Sequence, residues 1–124
     1  MKHKEGYVYF LRQKIESSIY DKNNNTSNKS KYKYKIGYTT QPIQRFKTHR
    51  TSNIDFTIAY IIKNADMNYE HFLHRYFADY RIEKEWFEDN GGIITNFIKR
   101  DKITRQVLAE ENNSKEININ EGNH

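Results

Sequence analysis

The stretch "GYVYFLRQ", residues 6–13, decides the fold. A Gly leads into β-branched and aromatic residues, and the apolar run turns charged at Arg12, the pattern of a short strand in a small sheet. Alternation along a strand sends Tyr7 and Tyr9 to the same face, so spacing alone leaves open which tyrosine packs and which is free for chemistry. Two more runs have this character, "YKIGYT" at 34–39 and "DFTIAYII" at 55–62. Together they predict a small, mostly antiparallel, three-stranded sheet.

Between the first two runs lies a segment rich in Asn, Ser and Lys. It reads as a hairpin connection lengthened by a polar insert at about 14–32, which loop-closure entropy tolerates cheaply. The C-terminal "EENNSKEININEGNH" is just as polar, so the expected organisation is one domain over 1–110 and a disordered tail over 111–124.

Helices are marked by spacing and caps. "TTQPIQRFKTHR" (39–50) opens with Thr and places Pro42 in the first turn, with Ile43 and Phe46 three apart on one side. In "NADMNYEHFLHRYFADYR" (64–81), residues Tyr69, Phe72, Leu73, Tyr76, Phe77 and Tyr80 follow the rhythm of a core-facing helical stripe. A third helix is expected to start after "DNGG", near Asn90 or Gly92, and to run through "IITNFIKRDKITRQVLAEE". The fold class is therefore α+β, a three-stranded sheet flanked by helices in the order β-β-α-β-α-α.

Composition narrows the partners. Only 35% of the 124 residues are hydrophobic, so the core must lean on ten Tyr and seven Phe. The net charge of +5 favours a polyanion, because Lys and Arg that neutralise phosphates release condensed counterions. There is no Cys, which excludes disulfides, thiolate zinc sites and Cys nucleophiles. No apolar stretch approaches the ~20 residues of a membrane span. The N-terminus lacks a signal-peptide core, so the expectation is a soluble, intracellular protein without membrane contact.

Polar residues beside the apolar stripes are the candidates for chemistry. Arg45 and His49 are four apart and share a helix face, which serves equally as an exposed basic surface. Glu70 adjoins the aromatic stripe four residues before His74; an ordinary solvated carboxylate is the commoner meaning of that placement. His71 and His74 have no Cys or third His beside them and define no zinc site.

Taken in order, "GYVYFL", "YKIGYT", Arg45 with His49, "YEHFLHRYF" and "EWFE" resemble the GIY-YIG nuclease superfamily. The resemblance is to its K-I-G variant branch of phages and large DNA viruses, the phage-type DNA-binding domain, and spans about residues 6–98. It implies a metal-dependent DNA endonuclease that hydrolyses phosphodiester bonds. Tyr9 would take the general-base position and Glu70 would hold a divalent cation, Mg2+ or Mn2+. Arg45 would neutralise charge growing on the phosphate, with His49 one turn later. The types suit the chemistry, since an anionic diester resists hydroxide until cations polarise it and absorb developing charge.

Lys35 stands where most relatives carry the first Tyr of the second motif. If it neighbours Tyr9 across the strands, its ammonium would lower the phenol's pKa; the plain alternative is a strand-end Lys on a solvated face. Gly37 suggests a bulge or a close approach. Tyr38 offers a substitute for the missing ring, Asn90 matches loosely an Asn used near the phosphate, and Trp86 and Phe87 read as packing residues. Lys29, Lys31, Lys33, Lys47 and Arg50, with Arg45, are the expected DNA contacts, which position the backbone without reading sequence. Selectivity would then come from DNA shape, a protein partner or a homodimer. The competing reading is a DNA-binding module on the same scaffold without turnover.

Overall fold

The computed structural model of the chain describes residues 5–15, 31–52 and 55–122, with side chains of the last helix described to residue 112. Most of the polar insert, with Lys29, lies outside these residues, as do the side chains of the expected tail from residue 113, while the tail's backbone continues α3 to Gly122. The elements run β1 (Tyr7–Lys14), β2 (Tyr32–Thr39), α1 (Pro42–Ser52), β3 (Thr57–Lys63), α2 (Met67–Tyr76), β4 (Arg81–Glu83), β5 (Trp86–Glu88) and α3 (Ile93–Gly122). Met1–Gly92 form one unit and Ile93–His124 a second.

The sheet has five antiparallel strands in the order β3-β1-β2-β5-β4, where the sequence pattern predicted three. The extra hairpin comes from 81–88. Its strands are three residues each, too short for alternation to register, and Lys84 turns between them in the left-handed region at φ 44. The three expected strands do form its other half. β1 and β2 pair from Tyr7↔Thr39 to Lys14↔Tyr32, and an Ile15 N–H to Lys31 carbonyl bond of 2.9 Å closes the neck of the insert.

Strand parity then sorts the side chains. Val8, Phe10, Tyr34, Ile36 and Phe87 share one face and are buried, with Phe10 edge-on to Tyr34 at 6.5 Å. The opposite face carries Tyr9, Gly37 and Lys35, and α1 covers it through Phe46, whose ring meets Tyr9 edge-on at 5.5 Å. Pro42 starts α1, and Thr39 Oγ1 accepts the Gln41 N–H at 3.0 Å just before it.

The second helix is shorter than its aromatic rhythm predicted. Asp66 caps it by accepting the Tyr69 N–H at 2.9 Å, and it ends at Tyr76. Phe77 leaves helical geometry, and a short 3-10 turn, Ala78–Tyr80, leads into β4. Of the six stripe residues only Leu73 and Phe77 are buried, whereas Phe72 is 45% and Tyr76 53% exposed. The reason is that α2 docks through the line Glu70, Leu73, His74 and Phe77. This rotates Phe72 and Tyr76 outward, where they stack in sequence with half-buried Tyr69 at 5.9 Å spacings.

The third helix starts where expected, after a turn over Asn90–Gly92 in which Gly91 (φ 63) and Gly92 (φ 75) take the left-handed conformation. Within α3, Arg105 Nε bonds Asp101 one turn away at 2.6 Å.

The orientation of α2 separates two phenylalanines that the sequence pattern equates. Phe77→Ala is expected to cost about 3–5 kcal/mol, whereas exposed Phe72→Ala is expected to cost less than about 1 kcal/mol. Urea denaturation of the two variants beside the parent measures both.

Candidate active site

Tyr9 and Gly37 form the centre of the site. They are direct cross-strand partners, and Tyr9 leans over Gly37 so closely that a Cβ there would collide with the Tyr9 Oη and Cζ. Gly37 is therefore needed for close approach, in a regular strand without a bulge. The Tyr9 side chain is 2% exposed, and its hydroxyl meets His49 Nε2 at 3.2 Å. Tyr7, its same-face neighbour, instead turns its hydroxyl to Glu5 at 3.0 Å on the surface. The site thus distinguishes the two tyrosines by burial.

His49 is placed by α1 and steadied by Phe56, edge-on at 6.2 Å, over which Arg50 also stacks at 4.6 Å. Partial burial holds the His49 pKa below its ordinary 6.5, with Lys35 and Arg45 pressing the same way and Glu85 opposing. The imidazole is thus neutral at neutral pH, and it shares a hydrogen bond with the phenol through Nε2. Burial pushes Tyr9 up to about 12; Arg45 pulls it back, and Glu85 and Glu70 add to the rise. The activation of Tyr9 expected from Lys35 does not appear in this state.

The reason lies in the register and in a neighbour. Lys35 pairs with Leu11 and sits two residues along β2 from Gly37, on the Tyr9 face but diagonal to it. Its ammonium is taken by Glu85, 3.6 Å away. Glu85, in the β4–β5 turn, is the charged residue that the sequence reading missed. Its signal was the "EKEWFE" run itself, where only the Trp and Phe drew attention.

Glu70 reaches the site from α2. β5 pairs with β2 only over Lys33–Lys35, which leaves the edge groups of the next residues unpaired by strand. Two residues one turn apart on α2 fill that gap. Glu70 accepts the Tyr38 backbone N–H, and His74 Nε2 donates to the Ile36 carbonyl at 2.8 Å. Burial raises the Glu70 pKa; His74 and His71 lower it and Glu85 raises it. Its carboxylate keeps lone pairs beyond the Tyr38 bond, and His71 Nε2 lies 3.7 Å away.

Arg45 lines a polar cavity of about 270 Å³ with Thr39, Thr40, Gln41, Gln44 and Thr48, and its charge acts on both Tyr9 and His49. Among the described residues no group of three or more His, Asp or Glu side chains could hold a metal ion. A lone carboxylate still fits Mg2+ or Mn2+, which take one or two protein carboxylates and complete their shell with water and substrate phosphate.

The structure thus brings Tyr9, Lys35, Arg45, His49 and Glu70 into one electrostatic neighbourhood. Gly37 and the backbone of Tyr38 belong to it as well. The Tyr38 ring turns elsewhere, its hydroxyl lying against Gly6 near the Ala65 carbonyl, so it does not replace a missing ring beside Tyr9. Lys33 lies on the Tyr9 face, its ammonium 4.9 Å from the Trp86 ring centre; Lys31, Lys47 and Arg50 are exposed, and Asn90 stands exposed at the head of the turn before α3.

A family profile described as the T5orf172 domain matches residues 6–105. The chain belongs to the T5orf172 domain family, which is phage-associated and nuclease-related. No curated protein and no solved structure matches it. No helix among the described residues is long and apolar enough to cross a membrane.

Gly37→Ala is expected to destabilise the chain by about 1–3 kcal/mol through overpacking against Tyr9. Part of that loss should return in the Gly37→Ala, Tyr9→Phe double variant, because the colliding Oη is gone. Denaturant midpoints of Gly37→Ala, Tyr9→Phe and the double variant beside the parent test this.

Proposed function

We propose that the chain is a metal-dependent DNA endonuclease of GIY-YIG type, in the K-I-G branch. The observation that carries this reading is the Tyr9 hydroxyl, buried and bonded at 3.2 Å to a neutral His49, with Arg45 and Glu70 both acting on it electrostatically. A phenol alone, pushed up to about 12, is a poor base at neutral pH. In a relay the difficulty disappears. The attacking water gives its proton to Tyr9 Oη as Tyr9 passes its own to His49 Nε2, so the net acceptor is an imidazole.

Arg45 contributes a fixed positive charge where the phosphoryl oxygens become more negative. Glu70 would hold Mg2+ or Mn2+, which supplies Lewis-acid polarisation of the phosphoryl oxygen. Lys31, Lys33, Lys47 and Arg50 would contact flanking phosphates, in keeping with the basic charge and the family's suggested link to DNA. Selectivity by DNA shape, a protein partner or a homodimer remains part of the proposal.

A second reading, a DNA-binding module without turnover, is favoured by one observation. Lys35, in the position of a motif tyrosine, is paired with Glu85, and the Tyr9 pKa stays raised. Supercoiled plasmid with Mg2+ or Mn2+ separates the two. Nicking that is lost in Glu70→Ala and in Tyr9→Phe, with DNA binding kept in Tyr9→Phe, supports the nuclease; retardation without nicking by the parent supports the module. Arg45→Ala is expected to slow nicking by about 10²–10³.

The relay also sets the pH profile. The acceptor must be unprotonated, and His49 titrates below its ordinary 6.5, so the rate should hold through neutrality and fall only as the pH drops below that value. His49→Ala should lower the rate and abolish that acidic limb, which single-turnover rates between pH 5 and 8 would reveal.

A further inference from the structure

Glu85 has no part in the hydrolysis described above, yet its charge acts on Tyr9, His49 and Glu70 alike. Its placement is specific. The Glu85 carbonyl accepts the Ile36 N–H at 3.1 Å, which ties the β4–β5 turn to β2 beside Lys35, and the left-handed Lys84 sets the turn just before it. From there a carboxylate oxygen reaches Lys35 Nζ at 3.6 Å.

The charges that face Tyr9 divide evenly by sign. Arg45 comes from α1 with the neutral His49, Glu70 from α2, Lys35 from β2 and Glu85 from the β4–β5 turn. With Lys35 and Glu85 paired, Arg45 and Glu70 remain as one cation and one anion. In the free protein Lys35 is thus engaged by Glu85, and Arg45 is the cation whose charge acts on Tyr9.

The pair is also easy to exchange. The Lys35 side chain is 20% and the Glu85 side chain 43% exposed, so both ends reach solvent and the ion pair is weak. A phosphodiester entering beside Arg45 offers Lys35 another anion, at the face where Tyr9 and His49 wait.

We propose that Glu85 is a positioning residue that parks Lys35 in an ion pair beside Tyr9 and yields it to a DNA phosphate on binding. The cationic site is thereby completed only when the backbone is present. Lys35 is a phosphate contact held in reserve, and Glu85 is its competitor. This inference rests on the DNA-acting reading of the site and is independent of whether the chain turns over.

The test is equilibrium binding of a fluorescent DNA duplex in EDTA, followed by anisotropy across a salt series, on the full chain. Glu85→Gln is expected to tighten binding by roughly three- to tenfold at low salt, with the gain shrinking as salt weakens the competing Lys35–Glu85 pair in the parent. Glu85→Asp should stay near the parent, because it keeps the competing charge. In a Lys35→Met background, Glu85→Gln should have no such effect.

Unchanged or weaker binding by Glu85→Gln overturns the proposal. So does an equal gain in the Lys35→Met background, which would make Glu85 a general repulsive charge. A parent without salt-dependent DNA binding overturns the DNA-acting reading and this inference with it. Absence of nicking in Mg2+ removes only the nuclease reading.

Discussion

Everything in the site depends on the lean of Tyr9 across the β1–β2 pair onto Gly37. A side chain at position 37 would fill the space that the phenol occupies, so the absence of one atom admits a large ring to the sheet surface. Once there, the ring is covered by Phe46 and its hydroxyl reaches His49. α1 is thus held over this face by the same contacts that deliver Arg45 and His49. Packing and chemistry are one arrangement, because the hydroxyl of a buried phenol must find a partner and the partner it finds is an imidazole kept neutral.

α2 repeats this economy at the edge of the sheet. β5 begins only opposite Lys35 and leaves the last residues of β2 unpaired by strand, and orphaned backbone groups at a buried edge are costly. Glu70 and His74 take them up as substitutes for a strand. The carboxylate proposed to hold a cation is therefore also a structural acceptor, which fixes its height along β2 next to Gly37. Docking of α2 through this pair turns two aromatic rings, Phe72 and Tyr76, to the surface and leaves Tyr69 half-buried, a trade between edge satisfaction and aromatic burial.

The charges around the phenol are balanced in a way that keeps it protonated. Burial is the largest cause; Arg45 pulls the other way, and Glu85 and Glu70 add to the rise. A protonated Tyr9 is the form that can hand its proton to His49, so the raised pKa and the neutral imidazole belong together.

The sequence by itself determined β1, the 34–39 part of β2, β3 and the helix starts at Pro42 and after Asn90–Gly92, because β-branched runs, a Pro and paired glycines act locally. It also carried the candidates Tyr9, Arg45, His49 and Glu70, which the strand and helix positions bring together. Alternation could not separate Tyr7 from Tyr9; the family resemblance chose Tyr9, and the depth of burial sets it apart in the structure. The β4–β5 hairpin was too short to leave a periodic signal and exists because β2 offers it an edge. Glu85 and the pairing of Lys35 followed from that hairpin. The aromatic stripe of α2 showed a helix but not which way it faced, because that choice was made by unpaired backbone groups on another element, and no property of the helix sequence encodes them.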